Sequence, residues 1–230
     1  MNATGRRGQP RNRFVSIALT AIACLAAGTA SSPALASPAG ASSSPLTTAS
    51  DRLRERGDHR VVHQDARGDV LRFAQESQAS TPAPRDRTTD ITTTVVDHRT
   101  RRLVVQSRVR HLSRSGYRLL IAEILTAEGK RYELVVDYST TPIGSRVSLS
   151  RFGSGAAVRC PGATWSIDTA ADRVGASVPT SCLGGPEWVR VGIALAAAPR
   201  DLKTSLADDS RSRGHVGEGH LRLGPRQPPA

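Results

Sequence analysis

The chain has 230 residues, 38% hydrophobic and only 3% aromatic, with a formal net charge of +12 at pH 7. That length and apolar content exclude a wholly unfolded polymer and suit one domain with extensions. Nearly all the positive charge is arginine, since Lys130 and Lys203 are the only lysines, and it is interspersed with Asp and Glu. Scattered charge with so few aromatics argues against nucleic acid as a partner, because that role wants a basic face with stacking rings.

The amino end sets the compartment. "MNATGRRGQPRNRF" carries four arginines and no acid, "VSIALTAIACLAAGTA" is apolar or small, and "SSPALA" ends in an A-x-A site. This order is that of a secretory signal peptide over residues 1–36, cleaved between Ala36 and Ser37. Its apolar run is too short for a membrane span, so no transmembrane segment is expected in the exported form. Arg6-Arg7 lacks the apolar residues that follow a twin-arginine pair, and Cys24 follows Ala21-Ile22-Ala23, a weak version of a lipoprotein processing site. Asn2-Ala3-Thr4 fits a glycosylation pattern but falls in the discarded segment. Loss of the four signal arginines lowers the charge from +12 to +8. The charge fits a solvated surface or an anionic cell-envelope polymer.

Residues 37–58 begin with "SPAGASSSPLTTAS", which has too little apolar surface to offset ordering entropy and reads as a disordered linker. In 59–73, Val61-Val62 and Val70-Leu71 flank the turn formers of "HQDARGD", which predicts an edge hairpin. His59 and His63 are four apart, but no Glu follows His59, so the H-E-x-x-H metalloprotease pattern fails. Residues 74–89 read as a linker.

From Asp90 the pattern is that of strands. "DITTTVVDH" and "RRLVVQSRV" form a hairpin of branched residues. "YRLLIAEIL" is ambiguous between strand and helix over 117–127; the turn at "AEGKR" and the strand "YELVVDY" beyond it favour a β-hairpin. "SRVSLSRFGSGAAVRC" reads as a further hairpin turning at Gly153-Ser154-Gly155. "ATWSIDT", "VGASVP" and "WVRVGIALA" complete the set. In the last, Val189, Val191, Ile193 and Leu195 mark a buried face, and Arg190 and Gly192 a wetter one. The expected fold is all-β, a single antiparallel β-sandwich or barrel-like domain over 59–200, with a polar, Gly- and Pro-rich disordered tail at 201–230.

Export leaves two cysteines, Cys160 and Cys182. An even pair in an oxidising compartment reads as a disulfide, which the chain-entropy model values at about 3 kcal/mol for a loop of this size. A nucleophilic cysteine would need a nearby base, and zinc more ligands than two.

Other chemistries find little support. Asp168 and Asp172 read as turn caps rather than calcium ligands, and Asp208-Asp209 fall in the expected tail. No G-x-S-x-G elbow occurs. Glu123, Glu133 and Asp137 are the acids well inside the expected sheet and read as solvent-facing charge, although carboxylates brought together only by folding would permit a hydrolase. Trp165 and Trp188 read as core filling beside the disulfide rather than a sugar platform. The sequence thus names no catalytic residue, metal ligand or cofactor.

"DITTTVVDH", "VVQSRVRHL", "YELVVDYS", "VRC" and "SVPTSCLGGPEWVRV" together resemble uncharacterised secreted β-rich proteins of high-GC Gram-positive bacteria, over roughly residues 60–197. The shared features are an Asp-led first strand with a His after it, and "VP-x-SC-L" running into a "VRV" strand. The resemblance implies secretion and a β-rich domain, and supplies no catalytic residues. The expectation is a non-enzymatic binding or envelope-associated domain, with a secreted hydrolase acting on envelope or extracellular polymer as the alternative.

Overall fold

Two antiparallel sheets pack face to face in the computed structural model, which describes residues 60–77, 79–139, 146–199, 202–214, 216 and 219–230. The expected signal peptide with its Ala36–Ser37 cleavage site, Cys24, the expected 37–58 linker and His59 lie outside the described residues. The first sheet has the order β1 (Arg60–Gln64), β4 (Ile91–His98), β5 (Arg102–Val109), β10 (Arg173–Pro179), β9 (Thr164–Asp168). The second has the order β3 (Ser80–Pro82), β2 (Leu71–Ala74), β12 (Thr204–Asp209), β11 (Val189–Ala198), β6 (Tyr117–Thr126), β7 (Arg131–Asp137), β8 (Arg146–Arg151). The described residues contain no α-helix, only a 3₁₀ turn at Thr180–Leu183.

The all-β sandwich is as the residue pattern predicts. The β4–β5 hairpin forms, with a register shift between Ile91 and Thr93. The ambiguous 117–127 segment is strand β6, paired with β7 on one side and β11 on the other. Its apolar residues do not alternate, and only Glu123 interrupts them, because both faces of the seven-stranded sheet are covered. Leu120, Ala122 and Ile124 face Ile91, Leu103 and Val105 in the core between the sheets, and Leu119 and Ile121 join a second core on the far side. A strand buried on both faces loses the alternation that would distinguish it from a helix.

Four expectations are corrected. Residues 59–73 are not a hairpin: β1 pairs with β4 in one sheet and β2 with β12 and β3 in the other, so "HQDARGDV" crosses between sheets. Residues 74–89 are more than a linker, because Ser80–Pro82 adds strand β3 beside β2 and Thr89 is buried. The return arm after Gly155 makes one bridge, Ser150 to Ala157, rather than a strand. The largest change is at 201–230, where the described residues form part of the fold rather than a disordered tail. β12 lies between β2 and β11, and the residues after it strap across β11. The backbone N–H of Gly224 donates to Val191 O at 2.9 Å and that of Gln227 to Val189 O at 2.8 Å. Leu221 and Val216 enter the second core. Gly- and Pro-rich composition misled here because the strap is held by backbone hydrogen bonds and two apolar anchors, which need little hydrophobic content.

This strap covers the face of β11 that the sequence marks as wetter. The outward face of the five-stranded sheet, by contrast, has no described element packed on it. It carries Arg60, Val62 and Gln64 on β1, Thr93, Val95 and Asp97 on β4, Arg102, Gln106 and Arg108 on β5, Arg173 on β10, and Thr164, Ser166 and Asp168 on β9. Val62 is 50% exposed.

Candidate metal centre

The crossover between the sheets is where acidic residues gather. β1 ends at Gln64, and Asp65 extends its ladder by donating its N–H to Thr92 O at 3.1 Å. The chain then turns through Gly68, whose φ of +77° favours glycine. That turn aims the Gly68 N–H at Asp90 Oδ2, 2.9 Å away. Asp69 follows, and buried Val70 leads into β2.

Two more aspartates arrive from distant segments. Asp90 precedes β4, and its Oδ2 also accepts from the Arg110 guanidinium at 2.8 Å. Asp208 lies on β12 opposite Leu195, and its Oδ2 accepts the Ile91 N–H at 2.7 Å, a bond from one sheet to the other. Asp65, Asp69 and Asp208 each place a carboxylate oxygen within 4.8 Å of the others. Asp90 adjoins them through Gly68. Asp209, on the opposite side of β12, is occupied otherwise: its carboxylate accepts the N–H groups of Arg211 and Arg222.

Five carboxylate oxygens of this cluster are buried with no hydrogen-bond partner: Asp65 Oδ2, both oxygens of Asp69, Asp90 Oδ1 and Asp208 Oδ1. Asp90 is 0% and Asp208 1% exposed. Burial pushes the Asp208 carboxyl up to about 9, with Asp65, Asp69 and Asp90 adding to the shift against the Ile91 N–H. Burial likewise pushes Asp65 up to about 8, opposed by the hydrogen bond from Ala66 N–H. Asp69 is raised, first by burial and then by Asp90; its own backbone N–H and, less, that of Gly214 pull the other way without reaching hydrogen-bond geometry. Arg110 pairs directly with Asp90, whereas Arg211 interacts with Asp65 and Arg213 with Asp69 through space. Such an all-oxygen arrangement suits protons or a hard cation.

The residues singled out in the sequence stand elsewhere. Cys160 and Cys182 are bonded, with Cα atoms 5.4 Å apart, and join the segment before β9 to the 3₁₀ turn. Asp168 caps its turn, accepting from Ala171 N–H, whereas Asp172 is no local cap: its carboxylate accepts the N–H of Leu112, 60 positions away, in the loop after β5. His63 faces inward near Arg211 and Ser210, and burial lowers its pKa. Glu123 is not solvent-facing: it is 1% exposed under the strap, paired with Arg131 and accepting from Leu221 N–H. Glu133 stands opposite it on β7, and Asp137 accepts from Ser139 N–H. The tryptophans do not fill the core. Trp165 is 38% exposed on edge strand β9, and Trp188 is half-buried beneath Arg226, whose guanidinium lies 4.5 Å from its ring centroid.

Asp65, Asp69, Asp90 and Asp208 were therefore the residues that sequence reasoning passed over. One signal was present: two aspartates flank a turn glycine in Asp65-Ala66-Arg67-Gly68-Asp69, the close oxygen spacing with a glycine turn that cation loops use. Asp208 had none, being read as tail.

No family model, no curated protein and no solved structure matches this chain.

Proposed function

We propose that the protein is an exported, non-enzymatic β-sandwich module that binds an anionic polymer of the cell envelope through the outward face of its five-stranded sheet. The observation that carries this reading is that face itself: it presents Arg60, Arg102, Arg108 and Arg173, outnumbering the acids Asp97 and Asp168 on the same face, among Thr, Ser and Gln side chains. Guanidinium groups spaced along a sheet match the repeating charge of a phosphate- or carboxylate-bearing polymer, with hydroxyl and amide groups beside them as donors. The amino-terminal signal pattern and the Cys160–Cys182 disulfide support export. Among the described residues no helix is long and apolar enough to cross a membrane.

Co-sedimentation with purified Gram-positive cell wall tests this. The protein is expected to pellet with wall at low salt and to be released by added salt, since exposed charge pairs are screened beyond about 10 Å at 0.1 M. The double substitution Arg108→Glu with Arg173→Glu, on neighbouring strands in register, is expected to weaken binding at least tenfold. Pelleting that is absent, or is equal in the variant, would end the proposal.

A secreted hydrolase is the second reading, favoured by the convergence of Asp65, Asp69 and Asp208 with raised pKa values. It fits less well. Asp208 is 1% exposed, leaving a polymer no route to it. The carboxylates also crowd closer than the 5–5.5 Å or more that glycosidases keep around a sugar. Release of reducing ends from wall polymer would favour this reading instead.

A further inference from the structure

We propose that Asp65, Asp69 and Asp208, with Asp90 adjoining them, form a binding site for one calcium ion at the crossover between the two sheets. The first ground is geometry. Three carboxylates brought from two distant parts of the chain place oxygens within 4.8 Å of one another, a spread that a cation with oxygen bonds of about 2.4 Å spans. The second is independent of clustering. Asp208 and Asp90 are 1% and 0% exposed, yet each holds one oxygen that no donor reaches. A buried carboxylate oxygen without a partner is costly, and native folds satisfy such groups. The hydrogen bonds that are made point the same way. Ile91 N–H occupies only Oδ2 of Asp208, and Gly68 N–H and Arg110 occupy only Oδ2 of Asp90. The fold thus fixes each side chain by one oxygen and leaves the other free.

The donor set selects the ion. All the free groups are carboxylate oxygens, which disfavours zinc and copper. Asp65 offers Oδ2, Asp208 offers Oδ1, and both oxygens of Asp69 are free for two-point contact. Four protein oxygens in irregular array, with one two-point carboxylate, fit calcium's six to eight flexible ligands better than magnesium's octahedron and retained waters. The bound ion would tie the β1–β2 crossover to the end of β12, so its binding energy contributes to folding.

The test is calcium titration of the full chain after treatment with chelator and dialysis, read by calorimetry and by thermal melting. One equivalent of calcium per chain is expected, with a melting temperature that rises with calcium and an at least tenfold weaker response to magnesium. Asp69→Asn is expected to weaken calcium binding more than tenfold. No partner meets the Asp69 carboxylate at hydrogen-bond geometry, and only its own N–H and that of Gly214 act on it, so this variant is expected to fold even where Asp208→Asn does not. Asp168→Asn, in a turn elsewhere, is expected to bind as the parent does. If chelation unfolds the parent, recovery of the cooperative melt on adding calcium supports the site, and failure to recover it counts against it. Absence of heat and of a thermal shift at millimolar calcium would overturn the proposal, leaving shared protons as the account of the cluster. Equal binding by Asp69→Asn and parent, or preference for magnesium, would overturn it too.

Discussion

Glu123 and Glu133 stand directly opposite each other on β6 and β7, so their side chains share the face of the sheet under the strap. Glu123 is compensated by Arg131, His220 and the Leu221 N–H. Glu133 pays for that neighbour: burial raises its carboxyl above 4.5, and the Glu123 charge raises it further. A raised carboxyl binds its proton more tightly folded than unfolded, so its contribution to stability falls as pH climbs through and above the ordinary carboxyl range. Glu133→Gln removes the repulsion and keeps the shape. The variant is expected to be more stable than the parent at pH 7, by a few tenths to about 1 kcal/mol, the usual cost of like charges facing across strands. Solvent contact screens part of it. The difference should shrink toward zero near pH 4. Urea midpoints at the two pH values check this, and a Gln variant less stable at pH 7 would show that Glu133 makes a compensating contact.

The strand β11 shows how one element can be half-readable. Val189, Val191, Ile193 and Leu195 mark its inner face by size, and they lie in the core between the sheets. Its other face holds Gly192, Ala194, Ala196 and Ala198, which are small and signal nothing by themselves. They are small because something packs close: a Cβ on Gly192 would lie 2.7 Å from Leu221 Cβ and 3.0 Å from Arg222 O. The covering strap is distant in sequence and irregular, so no periodicity reveals it. Gly192→Val would force the strap outward. A loss of about 1–3 kcal/mol is expected, as for other overpacked sites, with earlier proteolytic cleavage after β12. A variant that melts with the parent and resists protease equally would mean the strap is not seated on β11. β6 carries the same lesson, since Glu123 inside its apolar run reads as surface until Leu221 is seen to sit on it.

Across the whole molecule, local signals were legible and long-range ones were not. Hairpins such as β4–β5 and β6–β7 are neighbours in sequence and were readable from branched residues and turns. The acidic cluster depends on a hydrogen bond between Ile91 and Asp208, 117 positions apart, and on a chain end whose composition resembles a linker. That same end is structural in a way that can be tested. β12 is the strand between β2 and β11, so a chain stopped after Lys203 would detach β2 and β3 from the rest of their sheet. It would also remove Val216 and Leu221, whose burial contributes about 1.5–3 kcal/mol each, and uncover Ala194, Ala196 and Ala198. Against a typical total stability of about 5–15 kcal/mol, the sum is enough to unfold the domain even with the Cys160–Cys182 bond intact. The truncated chain is expected to lose its cooperative thermal transition while its disulfide still forms, as judged by circular dichroism and thiol titration. A truncated chain that melts cooperatively within a few degrees of the parent would mean that the last strand and strap ride on a body already complete without them.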